Sequence, residues 1–254
     1  TADAFAASWN NLPEGSVYSV EQFAEWFAPL DRSAAEGLRV LELGCGGGNL
    51  LTHMAAWTPR ELVGVDLGDS VSMAERNMAR IGARGHRIVR HDLVTYDDPE
   101  RYDLVYCIGV LHHLKDPRAG FEAVLRNTRS GGRFHGWVYA HEGNGIIRCV
   151  VDPIRRVASA LPWWFTKYLV ATPAVAPYYL YAKFVGLLGA SAPAWLPLRD
   201  YSLWIARREF AFFRHVAFDQ LVTPQTAYIR REEIEHWLAE VSGVRRVEVA
   251  SISR

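Results

Sequence analysis

Cysteine is scarce in this chain of 254 residues: Cys45, Cys107 and Cys149 are an odd set without paired spacing. That argues against a disulfide framework and against a zinc site, and it suits a reducing, cytoplasmic setting. An excess of charge is missing too. Lys+Arg and Asp+Glu each total 28, the formal net charge is zero and the pI is about 7.1. Without a basic surplus to grip a phosphate backbone, no nucleic-acid partner is expected. Uninterrupted apolar runs of membrane-spanning length are lacking. The nearest approach, Tyr168 to Gly189, carries Lys183, Pro173 and Pro177 inside it. Internal repeats and low-complexity segments are also absent. What is present is ordinary globular composition, 50% hydrophobic and 22% charged, in a length that suits one large domain or two small ones.

The first half of the chain alternates strands and helices. Short apolar runs at Arg39–Leu43, Leu62–Asp66, Arg87–Arg90, Tyr102–Cys107 and Arg133–Tyr139 predict strands one to five. Helical spacing falls between them, over Asn49–Trp57, Ser70–Ile81 and Pro117–Arg129. This rhythm predicts a parallel sheet with right-handed crossovers. It breaks from Val157 to Leu198, where only Lys167 and Lys183 are charged and five prolines occur. Residues 160–213 hold 14 of the 31 aromatic residues. A linker would be polar, so this stretch predicts a folded insertion. The rhythm returns with an amphipathic helix over Arg231–Val241 and an alternating strand over Val244–Ile252.

The most informative segment is Glu42-Leu43-Gly44-Cys45-Gly46-Gly47-Gly48-Asn49, between the first strand and the first of these helices. Glycines there permit a tight turn and close approach of a ligand to backbone at a helix N-terminus. A dinucleotide fingerprint, G-x-G-x-x-G, fails at Asn49 when started from Gly44 and at Leu51 when started from Gly46. A phosphate-cradling Gly-Lys-Ser/Thr is absent. The pattern present is E-x-G-x-G-x-G, with Glu42, Gly44, Gly46 and Gly48. Acids recur at the next strand ends: Asp66 after strand two, where a carboxylate can accept from a diol, and Asp92 in His91-Asp92-Leu93 after strand three. Taken singly, the loop reads as packing, Asp66 as a helix cap and Asp92 as a turn; together they occupy the edge where open α/β sheets bind cofactors.

With these residues the chain resembles the class I S-adenosyl-L-methionine-dependent methyltransferases, well over about residues 38–140 and loosely over 225–252. The resemblance implies an α/β, Rossmann-like, mostly parallel sheet with helices on both faces, followed by the aromatic-rich helical insertion after strand five. It places Gly44, Cys45, Gly46 and Gly48 under the methionine and ribose of the cofactor, with Glu42 acting indirectly on the methionine amino group. It gives Asp66 to the ribose, Leu67 to the cofactor, and Asp92 and Leu93 to the adenine. The segment Cys107-Ile108-Gly109-Val110-Leu111-His112-His113-Leu114 is similar to one that meets the methionine end, giving Cys107, Ile108, Gly109 and His113 to the cofactor. The family's sheet has seven strands, whereas six are counted here.

Methyl transfer to an alcohol or phenol calls for a base, and His141, His113 and His112 are the candidates because they follow strands five and four. Tyr18, His141 and Tyr228 are candidates for contact with the acceptor. A pair of packed or surface histidines is the plainer reading. No acidic cluster joins the histidines, so no metal site is expected. The thiol cluster of arsenic methylation and the Asn/Asp-Pro-Pro-Tyr/Phe segment of enzymes acting on planar amino nitrogens are both absent.

The expected organisation is an N-terminal helical lid segment over 1–37, a cofactor-binding core over 38–156 and 214–254, and the insertion over 157–213. Phe23, Trp26 and Phe27 have core-like helical spacing. The insertion reads as an acceptor lid or homodimer contact, with membrane contact a less favoured alternative. The expected function is methyl transfer to a small, largely apolar or aromatic acceptor, at oxygen first, nitrogen second and carbon third. The rivals are a cofactor-binding protein that transfers nothing, a membrane-associated lipid or quinone methyltransferase, and an NAD-dependent oxidoreductase, the last weakened by Asn49.

Overall fold

In a computed structural model of the protein, the described residues are 18–250 except Ile146 and Pro224. Residues 1–17 of the expected N-terminal lid and residues 251–252 of the expected last strand lie outside them. Contacts divide the chain into two compact units, the first formed by residues up to His141 together with Gln225–Val247.

The first unit is built on a five-stranded, wholly parallel sheet in the order β3-β2-β1-β4-β5. The strands are β1 (Arg39–Leu43), β2 (Glu61–Asp66), β3 (His86–Arg90), β4 (Tyr102–Ile108) and β5 (Thr128–Trp137). Helices α1 (Val20–Phe27), α2 (Asn49–Ala55), α3 (Val71–Arg80) and α4 (Pro117–Asn127) lie between or before them. Strand alternation sorts the core into two faces. Leu41, Leu43, Val105 and Cys107 point to one, where Phe121 and Val124 of α4 and Trp237 of the later helix α9 (Arg231–Ala239) cover them. Val40, Leu104, Tyr106 and Ile108 point to the other, under Leu51 and Met54 of α2, Met78 of α3, and Phe23 and Phe27 of α1.

Local chemistry fixes the helix ends. Ser19 and Gln22 form a reciprocal capping box at the start of α1. Asp116 Oδ1 accepts from the Arg118 and Ala119 amides at the start of α4, with Pro117 in its first turn. Asn127 ends α4. Its Nδ2 donates to the Ala123 and Tyr96 carbonyls and its Oδ1 accepts from the Asp98 amide. The helix therefore stops two residues before the expected Arg129. β5 begins at Thr128 and carries an irregularity before resuming its register at Arg133.

One expected element is corrected. Residues 244–250 join no ladder, so the described part of Val244–Ile252 is not a sixth strand. A strand needs a partner edge, and the chain beyond β5 is already engaged: Ala140 pairs with Ile229 in a parallel bridge. There Ile229 N donates to the Tyr139 carbonyl, and His141 N donates to that of Ile229.

The second unit contains residues 142–224 and the chain from Glu248 onward. Its regular elements are helical: α5 (Asp152–Ala158), α6 (Thr172–Leu188), α7 (Arg199–Ala206) and α8 (Phe210–Val222). Ala182 of α6, Ile205 of α7 and Phe213 of α8 form its small core. The buried Arg155 guanidinium binds the Gln220 carbonyl at 2.6 Å, the Gln220 side chain at 2.9 Å and Asp152 at 2.6 Å. No helix among the described residues is long and apolar enough to cross a membrane.

Candidate active site

The loop leaving β1 is shaped by its glycines. Gly44, Gly46 and Gly48 have φ of 83°, 51° and 75°, the left-handed region that side chains disfavour. The Gly44 and Cys45 amides both donate to the Val65 carbonyl, and the Gly48 amide donates to that of Cys45. The loop is thereby tied to the end of β2, and Gly48 turns directly into α2. A Cβ on Gly44 would stand 2.6 Å from Val110 Cγ2, so the loop and the segment after β4 pack without space for a methyl group. Gly82 also has positive φ, 65°, but nothing lies within 4 Å of its Cβ position. Gly44→Ala is therefore expected to cost about 2–3 kcal/mol, strain plus crowding, and Gly82→Ala about 1 kcal/mol, strain alone. Thermal denaturation of the two variants reads the difference.

Asp66, at the carboxyl end of β2, is the hub of this region. One oxygen, Oδ2, accepts from the Gly46 amide at 2.9 Å. The other, Oδ1, accepts from the Gly68 amide at 2.9 Å and the Ser70 hydroxyl at 3.2 Å. A carboxylate has about four acceptor positions, so a further donor can join the three already there. Leu67 beside it is exposed, and its carbonyl accepts from Arg90.

Glu42 lies behind the loop, only 2% exposed. It is the direct register partner of Tyr106 on the adjacent strand, and the Tyr106 hydroxyl donates to Glu42 Oε2 at 2.9 Å. Burial pushes the Glu42 carboxyl up to about 8; the Tyr106 hydrogen bond pulls it down, and the nearby Asp66 charge pushes it further up. Phe27 of α1 meets the Tyr106 ring edge-on at 4.9 Å. The Cys45 and Cys107 thiols are buried and pushed up by burial, which leaves them unreactive. Cys45 packs toward Gly64 of β2.

Asp92 is exposed. Its Oδ1 accepts from the Val94 amide and its carbonyl from those of Thr95 and Tyr96, closing a turn. Leu93 is buried in the core. After β4, Ile108 is buried and the Gly109 amide donates to the Trp137 carbonyl, joining the ends of β4 and β5.

Leu111–His113 form a single 3-10 turn. The His112 ring is fully buried, with its centroid 4.1 Å from those of both Tyr139 and His113. His113 Nδ1 lies 3.1 Å from the Gln225 carbonyl oxygen and 3.2 Å from Thr226 Oγ1. A carbonyl only accepts, so the contact with Gln225 is a hydrogen bond in the tautomer that carries its proton on Nδ1. The Ala227 amide binds the His112 carbonyl, and Gln225 Nε2 binds that of Leu114. Residues 225–229 thus strap the turn after β4 to the chain leaving β5. His141 enters this arrangement through its backbone.

Rings from separate elements line this edge. Tyr18 meets Trp26 at 4.6 Å, Trp26 meets Trp137 at 5.9 Å, and Trp137 meets Tyr139 at 5.3 Å. Tyr139 stacks on Tyr228 at 6.1 Å. Two histidines hold the N-terminal piece of this row. His53 Nε2 is 2.6 Å from the Tyr18 carbonyl, and His135 Nε2 is 2.6 Å from that of Trp26. Burial lowers the pKa of His135.

The structure thus brings Glu42, the glycines and Asp66 together, and separately groups His112, His113 and Tyr228. Asp92 serves its own turn. Sequence reading missed Tyr106, Ser70, Trp137, Tyr139, Gln225 and Thr226. Strand alternation in β4 was a signal for Tyr106; nothing in the sequence marked Gln225 or Thr226 as neighbours of His113. Among the described residues no cluster of His, Cys, Asp or Glu fits a metal ion.

A family model described as a methyltransferase domain matches residues 41–134. An uncharacterised protein of Synechococcus is 34% identical over 121 residues, covering 46% of this chain and 29% of its own. A ubiquinone biosynthesis O-methyltransferase of Pseudomonas putida is 29% identical over 105 residues, covering 41% of this chain and 45% of its own. The chain spans less than half the length of these curated relatives. PKMT2 from Rickettsia typhi shares the fold with a TM-score of 0.50 at 16% identity, over 87% of this chain and 41% of that one. Residues 41–134, which hold β1 to β4 and the loops between them, are thus similar to the methyltransferase-domain family.

Proposed function

We propose that the chain binds S-adenosylmethionine at the β1 and β2 ends and catalyses transfer of its methyl group to a small, largely apolar or aromatic acceptor, at oxygen. The observation that carries this reading is the Asp66 carboxylate, fastened to the glycine loop and with capacity for a further donor. The donor set fits the cofactor. Asp66 suits a ribose diol, and the buried Glu42 carboxyl favours a cation nearby, as an ammonium or sulfonium would be. When bound, the cofactor supplies a methyl group already activated on sulfonium for in-line displacement.

This chain's residues then hold the acceptor and remove its proton. His113 Nε2 is the base, because the Gln225 carbonyl and Thr226 hold the other ring nitrogen. His112, buried against Tyr139, supports the His113 ring. The rings of Trp137, Tyr139 and Tyr228 pack the apolar part of the acceptor and exclude water. The relatives named as ubiquinone biosynthesis O-methyltransferases support oxygen as the accepting atom.

The test is incubation of the full chain with S-adenosylmethionine and a panel of phenols, catechols and apolar alcohols, read as mass gain of one methyl group. Transfer is expected to a phenolic acceptor. S-adenosylhomocysteine binding without transfer to any acceptor supports the cofactor-binding rival. Thr226→Val is expected to lower kcat about two- to tenfold, the worth of one hydrogen bond. It is also expected to shift the acidic limb of the pH profile, where a base must lose its proton to act, and Thr226→Ser restores both. A wholly structural role for Thr226 leaves that limb where it was.

A further inference from the structure

The second unit concentrates the chain's exposed apolar side chains. On α6, Leu180, Phe184, Leu187 and Leu188 are 70%, 56%, 86% and 38% exposed. Their spacing, i, i+4, i+7 and i+8, sets them on one stripe of the helix. The opposite face is used up inside the unit. Ala182 and Val185 are fully buried, the Tyr178 hydroxyl pairs with Ser202 at 2.8 Å, and Gly186 lies so close to Ala206 of α7 that a Cβ there would stand 2.4 Å from it. Trp195 and Leu198, in the connection to α7, are 78% and 59% exposed.

Charge of one sign accompanies these side chains. Residues 153–199 contain five cationic and no acidic side chains, of which Arg155 and Lys167 are buried, in a chain whose net charge is zero. An open groove of about 600 Å³ is lined by Lys183, Arg199 and Arg207 together with Leu187 and Leu203, without an acidic residue. Lys183 is anchored on the Ala206 and Arg208 carbonyls, and Arg199 on that of Ala192. Asp200 pairs with Arg199, and Arg207 is exposed.

We propose that this face of the second unit docks on an anionic lipid surface, with Phe184 and Leu187 entering the headgroup boundary and Lys183, Arg199 and Arg207 facing the lipid phosphates. The combination of apolar stripe, adjoining cations and an exposed tryptophan is the pattern of interfacial attachment. Spanning is a different matter. The 17 residues of α6 reach about 26 Å, short of the roughly 30 Å hydrocarbon core, and Ala182 and Val185 on its other face are buried inside the unit. A second copy is a poorer occupant, because two-fold pairing of this face brings Lys183, Arg199 and Arg207 against their own equivalents. The inference does not depend on methyl transfer.

Flotation of the full chain with vesicles tests it. Vesicles of phosphatidylcholine mixed with phosphatidylglycerol are expected to carry the protein, and phosphatidylcholine alone at least about tenfold less. The double substitution Phe184→Ser with Leu187→Ser is expected to lower partition at least about tenfold, and Arg207→Glu about fivefold or more, with unchanged circular dichroism. Added salt is expected to release the wild type progressively. Three outcomes overturn the proposal: no binding to the mixed vesicles, binding that survives the double substitution, or a stable dimer that the double substitution dissociates while vesicle binding is absent.

Discussion

Replacing Asp66 with alanine is expected to weaken S-adenosylhomocysteine binding by at least about 10²-fold, since a hydrogen bond to a charged group is worth about 1.5–3 kcal/mol and at least two act here. Two losses combine. The diol loses its carboxylate, and the loop loses the brace that joins the Gly46 amide, the Gly68 amide and the Ser70 hydroxyl. Ser70→Ala separates them, because it removes one brace and leaves the carboxylate; a smaller decrease, about tenfold, is expected, since the bond lost braces the carboxylate and does not itself hold the ligand. Calorimetric titration measures both, with NAD as the comparison ligand that is expected not to bind. Undiminished binding by a folded Asp66→Ala variant would show that the ligand is held elsewhere.

The second large effect is on stability and follows from Glu42. Its carboxyl is raised to about 8 in the folded chain, against an ordinary value of 4.5. Between those values the folded state holds a proton that the unfolded state has released. Stability is therefore fullest below about pH 4.5, falls as pH rises through 8, and is flat above it with respect to this group. The shift is worth roughly 3–6 kcal/mol over that window, about 1.4 kcal/mol per pH unit. Glu42→Gln retains an acceptor for the Tyr106 hydroxyl and carries no titrating group. The variant is expected to lose this part of the pH dependence and to exceed the wild type in stability at pH 9. Urea denaturation from pH 5 to 9 checks it, and parallel curves for the two proteins would place the Glu42 pKa near its ordinary value. A bound cation stabilises the carboxylate, so S-adenosylmethionine binding near pH 7 is expected to release protons.

Both effects arise from the junction of β1, β2 and β4, and that junction was the part most legible in the residues. Burial on both sides of a parallel sheet demands continuous apolar strands, so Val40–Leu43, Leu62–Val65 and Leu104–Cys107 announce themselves. Left-handed backbone demands glycine, so Gly44, Gly46 and Gly48 mark the loop. Asp66 was visible because the end of a strand is a fixed place in the chain. The alternating residues after Val244 misled, because alternation describes a strand's faces and says nothing of whether an edge is available to pair with.

What the sequence by itself determined is local: the strand and helix periods, the glycine turn, the caps at Ser19 and Asp116, and the acids at the strand ends. Only the tertiary structure decided which groups meet. The hydrogen bond between Glu42 and Tyr106, 64 residues apart, exists because two parallel strands align in that register. The His113 ring is oriented because a carbonyl 112 residues later lies 3.1 Å from its Nδ1. The exposed stripe on α6 follows in the same way, from which face α7 covers. Such pairings depend on distances through space, and a period along the chain carries no information about them.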